Sequence, residues 1–285
     1  MEMSNDKVWI EVAVNGTFGR KRQPNIPISV DEIVADGVAC VKAGAAIVHV
    51  HPYDEATGKQ KDDADIYARI FEGIRAQVDA IVYPTVSVFG SPEERYAPIQ
   101  ALAERGLMEW AAVDPGSANL TLYDQVAAGK DGILYVNSEE YLRPGMGMCE
   151  RYGIHPTYAI YEPGFVRNGK AWADHLPNMP APLYRLMFSD GFTFGFPPRN
   201  YGLDAYTRLL DEVSPGAPRM IAGLLVDVME LADYALAQGY HLRTGLEDMP
   251  RGTDKTNVDL VEAAVAKVEK AGREPATATE VRAGF

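Results

Sequence analysis

The sequence predicts an α/β protein of the (β/α)8 TIM-barrel class, on three observations. Apolar strand-like runs alternate with segments of helical periodicity along the chain, the pattern of βα units around a parallel sheet. A length of 285 residues suits one such barrel, which typically takes about 250. The competing architecture, a doubly wound open sheet, usually carries a glycine-rich phosphate turn after its first strand, and Asn15-Gly16-Thr17-Phe18-Gly19 lacks G-x-G-x-x-G. Residues 1–285 read as one barrel domain with a C-terminal helix and a short tail; there is no internal repeat, low-complexity tract or composition shift.

Taken in order, the first strand runs from Val8 to Asn15, followed by a Gly/Pro-rich loop through Gly16, Gly19, Pro24 and Pro27. Ser29-Val30-Asp31-Glu32 has the form of a capping box and opens a helix that Gly44 closes. Ala45 to His51 is the second strand, and a helix from about Ala64 to Val78 follows its outgoing loop. Ala80 to Val86 is the third, and Ser91-Pro92-Glu93-Glu94 repeats the capping box with proline at the first helical position. Further runs are Met108 to Val113, Ile133 to Val136, Pro156 to Tyr161, Leu183 to Phe188, Arg219 to Leu225 and His241 to Leu246. That gives nine candidates for eight places, and the shortest, Ile133 to Val136, belongs outside the barrel. Asn257 is expected to cap the closing helix, whose apolar side is Val258, Leu260, Val261, Ala264, Val265 and Val268.

Composition narrows the class of function. The chain has 27 Lys+Arg against 40 Asp+Glu, a net charge of −13, and so lacks the basic surface that nucleic-acid binding requires. Arg20-Lys21-Arg22 is a short basic cluster, either a solvated loop or an anchor for an anionic ligand. Cys40 and Cys149 have no metal-ligand or redox spacing. The polar N-terminus Met1-Glu2-Met3-Ser4-Asn5-Asp6 is unlike a leader peptide, and no stretch approaches the ~18 apolar residues of a membrane span. A soluble cytoplasmic protein is expected.

Two features carry chemistry. His49 and His51 close an apolar strand, and strand alternation points both rings to one face about 7 Å apart at their origins, close enough to converge on one ion. A first-row divalent metal is one reading; a pair of histidines bonded to loop carbonyls is the other. The last strand continues His241-Leu242-Arg243-Thr244-Gly245-Leu246-Glu247-Asp248. By alternation Arg243 and Glu247 share the inward face while the leucines face the helices, and Asp248 begins the loop above. In a barrel of this kind functional residues gather at the C-terminal ends of the strands, where both features lie. Two imidazoles and a carboxylate are the protein ligands of a catalytic zinc that keeps one position open. The plainer reading is an acidic turn with a buried arginine partner, although a barrel interior is a poor place for such charges without a metal or an anionic substrate.

These residues, with Asn15-Gly16, Ala43-Gly44-Ala45-Ala46-Ile47-Val48-His49-Val50-His51, Ser91-Pro92-Glu93-Glu94-Arg95-Tyr96-Ala97-Pro98, Gly116-Ser117-Ala118-Asn119 and Gly272-Arg273-Glu274-Pro275-Ala276-Thr277, resemble the β-keto acid cleavage enzymes, of which 3-keto-5-aminohexanoate cleavage enzyme is one. The resemblance spans nearly the whole chain. It implies a zinc-dependent barrel, with one Zn2+ per subunit, that converts a β-keto acid and the cosubstrate acetyl-CoA into acetoacetate and a new acyl-CoA. It also implies a homotetramer.

Carried over by residue, the resemblance makes His49, His51 and Glu247 the zinc ligands and Arg243 the holder of the substrate carboxylate. Asp248 becomes the catalytic base and Thr85 a small hydroxyl near the reacting atoms. Asn15 and Asn119 are expected at the substrate site, Asn119 otherwise capping the next helix; by its own position at the end of a strand run, Glu162 either lines the pocket or is a loop acid before Pro163. The chain departs from the family at Pro52-Tyr53, where an arginine commonly follows the second histidine, and at Thr17-Phe18-Gly19-Arg20, where some members carry an acid that recognises an amino substrate. An apolar, aromatic or anionic side group on the keto acid is therefore expected. Two alternatives are an amidohydrolase-like metal-dependent hydrolase, which wants its H-x-H on the first strand and further histidines on later ones, and a non-catalytic zinc-dependent keto-acid-binding protein.

Overall fold

The computed structural model describes residues 7–285; the Met1–Asp6 segment, considered above for a leader, lies outside them. Eight parallel strands form one sheet: β1 Ile10–Ala13, β2 Ile47–Val50, β3 Ile81–Pro84, β4 Trp110–Ala112, β5 His155–Ile160, β6 Leu183–Phe188, β7 Arg219–Gly223 and β8 His241–Thr244. Their order is β3-β2-β1-β8-β7-β6-β5-β4, and β3 lies beside β4, so the sheet is nearly closed into a barrel. Each strand is almost wholly buried because helices cover its outer side, as a parallel sheet requires.

The main covering helices are α1 Val30–Ala43, α2 Ala64–Arg75, α3 Pro92–Glu104, α4 Glu139–Tyr152, α5 Pro163–His175, α6 Asn200–Val213, α7 Ala232–Ala237 and α8 Asn257–Lys270. Ser29 and Ser91 close the capping boxes that open α1 and α3. Ile133–Tyr135 pairs antiparallel with Ala118–Leu120 in a separate hairpin, outside the barrel as expected. The cap of α8 differs from expectation. Thr256 caps the helix, accepting from the Asp259 amide, and Asn257 turns inward. Its amide group donates to the Val14 carbonyl at 2.7 Å and to Asp36 at 2.5 Å, while its oxygen accepts from the Leu246 amide at 2.8 Å. A buried asparagine is thus spent on joining the ends of β1 and β8.

The barrel interior is layered by strand alternation. Its floor is Trp9, Ile47, Ile81, Trp110, Leu183 and Met220, closed from below by Ala276, Ala278, Val281 and Phe285. His241 and His155 belong to this floor: one ring stacks on Trp9 at 4.2 Å and the other packs on Phe285 at 4.0 Å. Above the floor is a charged layer. Glu11 accepts from the Tyr83 hydroxyl at 2.5 Å, from Arg185 at 3.1 Å and from Arg243 at 2.7 Å, and Arg185 also donates to the Thr157 hydroxyl at 3.3 Å. Two buried arginines therefore share one carboxylate, a pairing that tolerates burial only while each member keeps its partners.

Gly245 lets the last strand turn out of this layer. Its φ is +134°, and a Cβ there would lie 2.2 Å from the Ala13 carbonyl oxygen and 2.7 Å from the Ala13 nitrogen. Gly245→Ala is expected to destabilise the fold by more than about 2 kcal/mol, measured by urea denaturation, because backbone rather than a side chain must give way. A second expectation concerns Asp36. Burial pushes its carboxyl up to about 6, against the Asn257 hydrogen bond. The folded state thus holds the proton more tightly than the unfolded one, so the associated stability is complete below the unfolded value near pH 4 and is lost as pH rises through 6. Asp36→Asn, which keeps an acceptor for Asn257, should be more stable than wild type by about 1–2 kcal/mol above pH 7 and show no gain below pH 4 in paired thermal melts.

Candidate active site

The mouth of the barrel is built on β8, β1 and β2, which are neighbours in the sheet. His49 ends the inward face of β2 and His51 follows two residues on, both buried. Asn15 fixes the second ring by its backbone. Its oxygen accepts from the His51 amide and its amide group donates to the His51 carbonyl, both at 2.9 Å, and also to Pro27 at 3.2 Å. Both amide hydrogens of Asn15 are therefore used on the protein itself, and its part is to position His51.

Glu247 comes over the histidines from the β8 side. Its Oε2 lies 3.5 Å from His49 Nε2 and its Oε1 3.3 Å from His51 Nε2. Gly16, with φ +66°, leaves room for this approach; a Cβ there would meet Glu247 Cγ at 2.7 Å. Ligand atoms of His49, His51 and Glu247 all lie within 4.8 Å of one another. His51 Nδ1 is 2.9 Å from Gln60 Oε1, and Gln60 in turn donates to Asp62, which leaves Nε2 facing the centre. His51 Nε2 and Glu247 Oε2 are buried with no hydrogen-bond partner. Buried polar atoms are normally satisfied, so two such atoms aimed at one point fit a cation there. The donor set, two imidazoles and a carboxylate, is that of a divalent transition metal with an open position.

The electrostatics agree. Burial keeps His49 neutral, with its pKa well below the ordinary value despite Glu247. For His51 burial opposes protonation, but the Glu247 carboxylate outweighs it and raises the ring's pKa. Glu247 stays ionised although burial opposes this, because His51, His49 and Arg243 hold its pKa well below the usual carboxylate range. A cation between them would compete with any proton on His51.

Beside this cluster Arg243 grips Asp248 through both edges of its fork, Nε to Oδ2 at 2.9 Å and Nη2 to Oδ1 at 2.8 Å. Its third nitrogen reaches down to Glu11, and Nη2 also stands 3.4 Å from Glu247. Arg243, expected to hold a substrate carboxylate, is thus already engaged by Asp248, and an incoming carboxylate has to share the fork. Burial pushes the Asp248 carboxyl up to about 6 against the pull of Arg243. The Asp248 carbonyl accepts from the Val226 amide at 3.0 Å, next to Leu225, the one non-glycine residue with left-handed φ among the described residues.

The other expected residues divide. Thr85 is half-buried one residue past β3, level with His51 in the β2–β3 register, and its hydroxyl has only a long 3.4 Å contact to the Val86 carbonyl. Glu162 is half-buried at the start of α5 and accepts from the Gly195 amide at 3.3 Å, tethering the loop after β6. Asn119 is exposed on the Ala118–Leu120 hairpin, outside the hydrogen-bond network that joins the others. Sequence reasoning passed over Glu11, Arg185 and Gln60. A charged residue inside the apolar run Leu183–Phe188 was the available signal for Arg185.

Fold and site together define a (β/α)8 barrel whose C-terminal mouth is furnished with two histidines, two acids and an arginine around a place for a cation. A family model of the β-keto acid cleavage enzymes matches residues 7–285. The chain belongs to that family. It is 29% identical to a 3-oxoadipate:acetyl-CoA acetyltransferase of Cupriavidus necator, over 96% of this chain and 93% of that one. It is 26% identical to a 3-dehydrocarnitine:acetyl-CoA trimethylamine transferase of Rhizobium meliloti (98% and 96% covered) and 26% identical to a 3-keto-5-aminohexanoate cleavage enzyme of Fusobacterium nucleatum (97% and 97%). Among solved structures it is similar to ObcA in a ternary complex with a C4-CoA adduct and oxalate, with a TM-score of 0.70 at 19% identity over 92% of this chain and 67% of that one, a likeness of fold.

The geometry makes a direct expectation for metal content. Purified protein should hold close to one equivalent of a divalent transition metal by elemental analysis, and His49→Ala should lose it while keeping its far-ultraviolet spectrum. Full metal retention in the variant would count against the three-residue centre.

Proposed function

We propose that the protein is a zinc-dependent β-keto acid cleavage enzyme that exchanges the acyl parts of a β-keto acid and acetyl-CoA, releasing acetoacetate and a new acyl-CoA. The observation that carries this is the convergence of His49, His51 and Glu247, with unpartnered buried atoms facing one another, directly beside Asp248 in a chain of this family. His49, His51 and Glu247 would hold the ion; when bound, zinc supplies Lewis acidity toward the keto and carboxylate oxygens of the substrate.

Arg243 orients the substrate carboxylate through the edge of its fork that it shares with Asp248. Asp248, one residue from Glu247, takes the proton from the carbon between the two carbonyls, directly or relayed through Thr85 or water. That carbon then forms a bond to the thioester carbonyl of acetyl-CoA, the CoA sulfur transfers to the original acyl carbonyl, and the carbon–carbon bond between that carbonyl and the central carbon breaks. The central carbon, left as an enolate, takes the proton back from Asp248 and leaves with its carboxylate and the acetyl group as acetoacetate, and the remaining acyl group leaves on CoA.

The side of the mouth opposite the histidines is apolar. Ala159, Met187, Ala222 and Phe194 are buried there, with Tyr161 and Leu224 half-buried against them. An apolar or aromatic side group on the keto acid suits this wall, and Glu162, tied to Gly195, sits at its edge. Of the alternatives, the hydrolase is disfavoured by where the remaining three histidines lie: His155 and His241 are in the floor, far along their strands from the mouth, and His175 is exposed at the end of α5. A homotetramer working in the cytoplasm belongs to the same proposal; among the described residues no helix is long and apolar enough to cross a membrane.

A panel of β-keto acids with acetyl-CoA, scored for acetoacetate with and without chelator, tests the reaction. Asp248→Asn should keep the metal and lose about 10²–10⁴-fold in turnover. Turnover near wild type in this variant would overturn the assignment of the base, and silence of the wild type across the panel would overturn the reaction.

A further inference from the structure

The loop after β1 and the loop after β8 meet at the mouth. Together the segments 17–27 and 249–256 hold Arg20, Lys21, Arg22, Arg251 and Lys255 and a single acid, Asp254, in a chain whose net charge is −13. The junction is built rather than incidental. Gln23 is buried between the loops, its amide group donating to the carbonyls of Leu246 at 2.9 Å and Pro250 at 3.3 Å and its oxygen accepting from the Gly252 amide at 3.1 Å. The Gly252 amide also reaches the Arg22 carbonyl at 3.0 Å, and Asn25 donates to the carbonyls of Asp254 and Lys255. On the other side the Tyr53 hydroxyl fixes the Gly16 carbonyl. Both loops are therefore held in place immediately beyond Glu247 and Asp248.

Two of the five cations are spoken for, Arg20 by Glu32 at 2.7 Å and Lys255 by Asp227 at 3.4 Å. Lys21, Arg22 and Arg251 are exposed and form no ion pair among the described residues. Arg251 lies over the Phe18 ring at 5.3 Å, which fixes its guanidinium, and the Arg22 charge is near enough to depress its pKa. Like charges held together without a carboxylate are unfavourable on a free surface and become favourable once an anion lies between them.

We propose that Lys21, Arg22 and Arg251 form a phosphate-binding rim that receives the phosphate groups of the CoA thioester and directs its acyl end to Asp248. The inference rests on the acetyl-CoA reading above. Arg251 is three residues from Asp248, at most about 10 Å of chain, so a ligand anchored at the rim can lay its flexible arm into the mouth. Guanidinium groups suit phosphate oxygens by the same two-point geometry that suits carboxylates.

The test compares wild type with the double variant Arg22→Ala, Arg251→Ala, each metal-loaded, on acetyl-CoA and on S-acetylpantetheine, which has the same reacting end without the nucleotide phosphates. The preference for acetyl-CoA, as a ratio of kcat/KM values, should fall about tenfold or more in the double variant, with the loss in KM for acetyl-CoA. The wild-type KM for acetyl-CoA should rise with salt more steeply than the variant's. An unchanged ratio overturns the rim.

A binding arm stands apart from turnover. CoA, 3′-dephospho-CoA and inorganic phosphate are titrated calorimetrically into both proteins. Weaker CoA binding by the double variant supports the rim even where the wild type turns over no keto acid, a result that would sink the reaction alone; equal CoA affinities overturn the rim even where turnover is robust. Inorganic phosphate binding as tightly as CoA assigns the rim to a free anion and also overturns it. Should the double variant fail to fold, the single Arg251→Ser at the solvent-exposed position carries the same comparisons.

Discussion

Arg243 stands between two carboxylates, Glu11 below and Asp248 above, and the arrangement of the mouth depends on that position. Its guanidinium is buried, so it must keep a near-complete set of acceptors; removing one partner leaves a charge in a medium that solvates it poorly. Glu11 anchors the lower edge and is itself fixed by Tyr83 and Arg185. The upper edge then meets Asp248 at a defined height, and Glu247, the preceding residue, is carried over the histidines. The cation centre and the carboxylate that works beside it are thus two ends of one charged column running down the barrel axis.

Backbone fit at the β1–β8 junction makes the column possible. Gly245 passes the Ala13 peptide with no room for a side chain, Gly16 clears the Glu247 methylenes, and Asn257 ties Val14 to Leu246. Asn15 performs the matching task between β1 and β2. These four residues touch no ion and no reacting atom in the proposed chemistry, yet they set where the side chains that do so are held. This is the physical content of the Asn15-Gly16 and Gly245-Leu246-Glu247-Asp248 turns.

Much of this was legible in the sequence, and the parts that were not have a common cause. Strand alternation put His49 and His51 on one face and turned Arg243 inward, and the short Ile133–Val136 run was rightly left out of the barrel; Glu247 lies beyond the strand end at Thr244 and reaches the histidines by the turn at Gly245 rather than by alternation. What alternation does not provide is the partner across the barrel. Glu11 meets Arg185 and Arg243 over separations of 174 and 232 residues, so no local pattern marks it. Asn257 has the composition of a cap but a buried neighbour to satisfy, and tertiary demand outweighed local preference while Thr256 took the cap. Asn119 is exposed on a hairpin whose Ala118 and Tyr135 are buried and whose Leu120 packs against the apolar wall, an orientation that its own segment does not encode.

The division of the mouth has an evolutionary consequence. His49, His51, Glu247, Arg243 and Asp248 stand at the ends of β2 and β8, whereas the apolar wall of Ala159, Met187 and Ala222 stands on β5, β6 and β7. The two sets are joined through the sheet, through Arg185 on Glu11 and through the Val226 amide on Asp248, so it is at Ala159, Met187 and Ala222, outside those links, that substitutions need not disturb the opposite rim. Side-group preference can therefore drift under selection by changes confined to residues 157–224, while the chemistry at the opposite rim is inherited intact. Such separability gives one scaffold a route to many substrates, and it marks residues 157–224 as the place where a redesigned specificity should be sought.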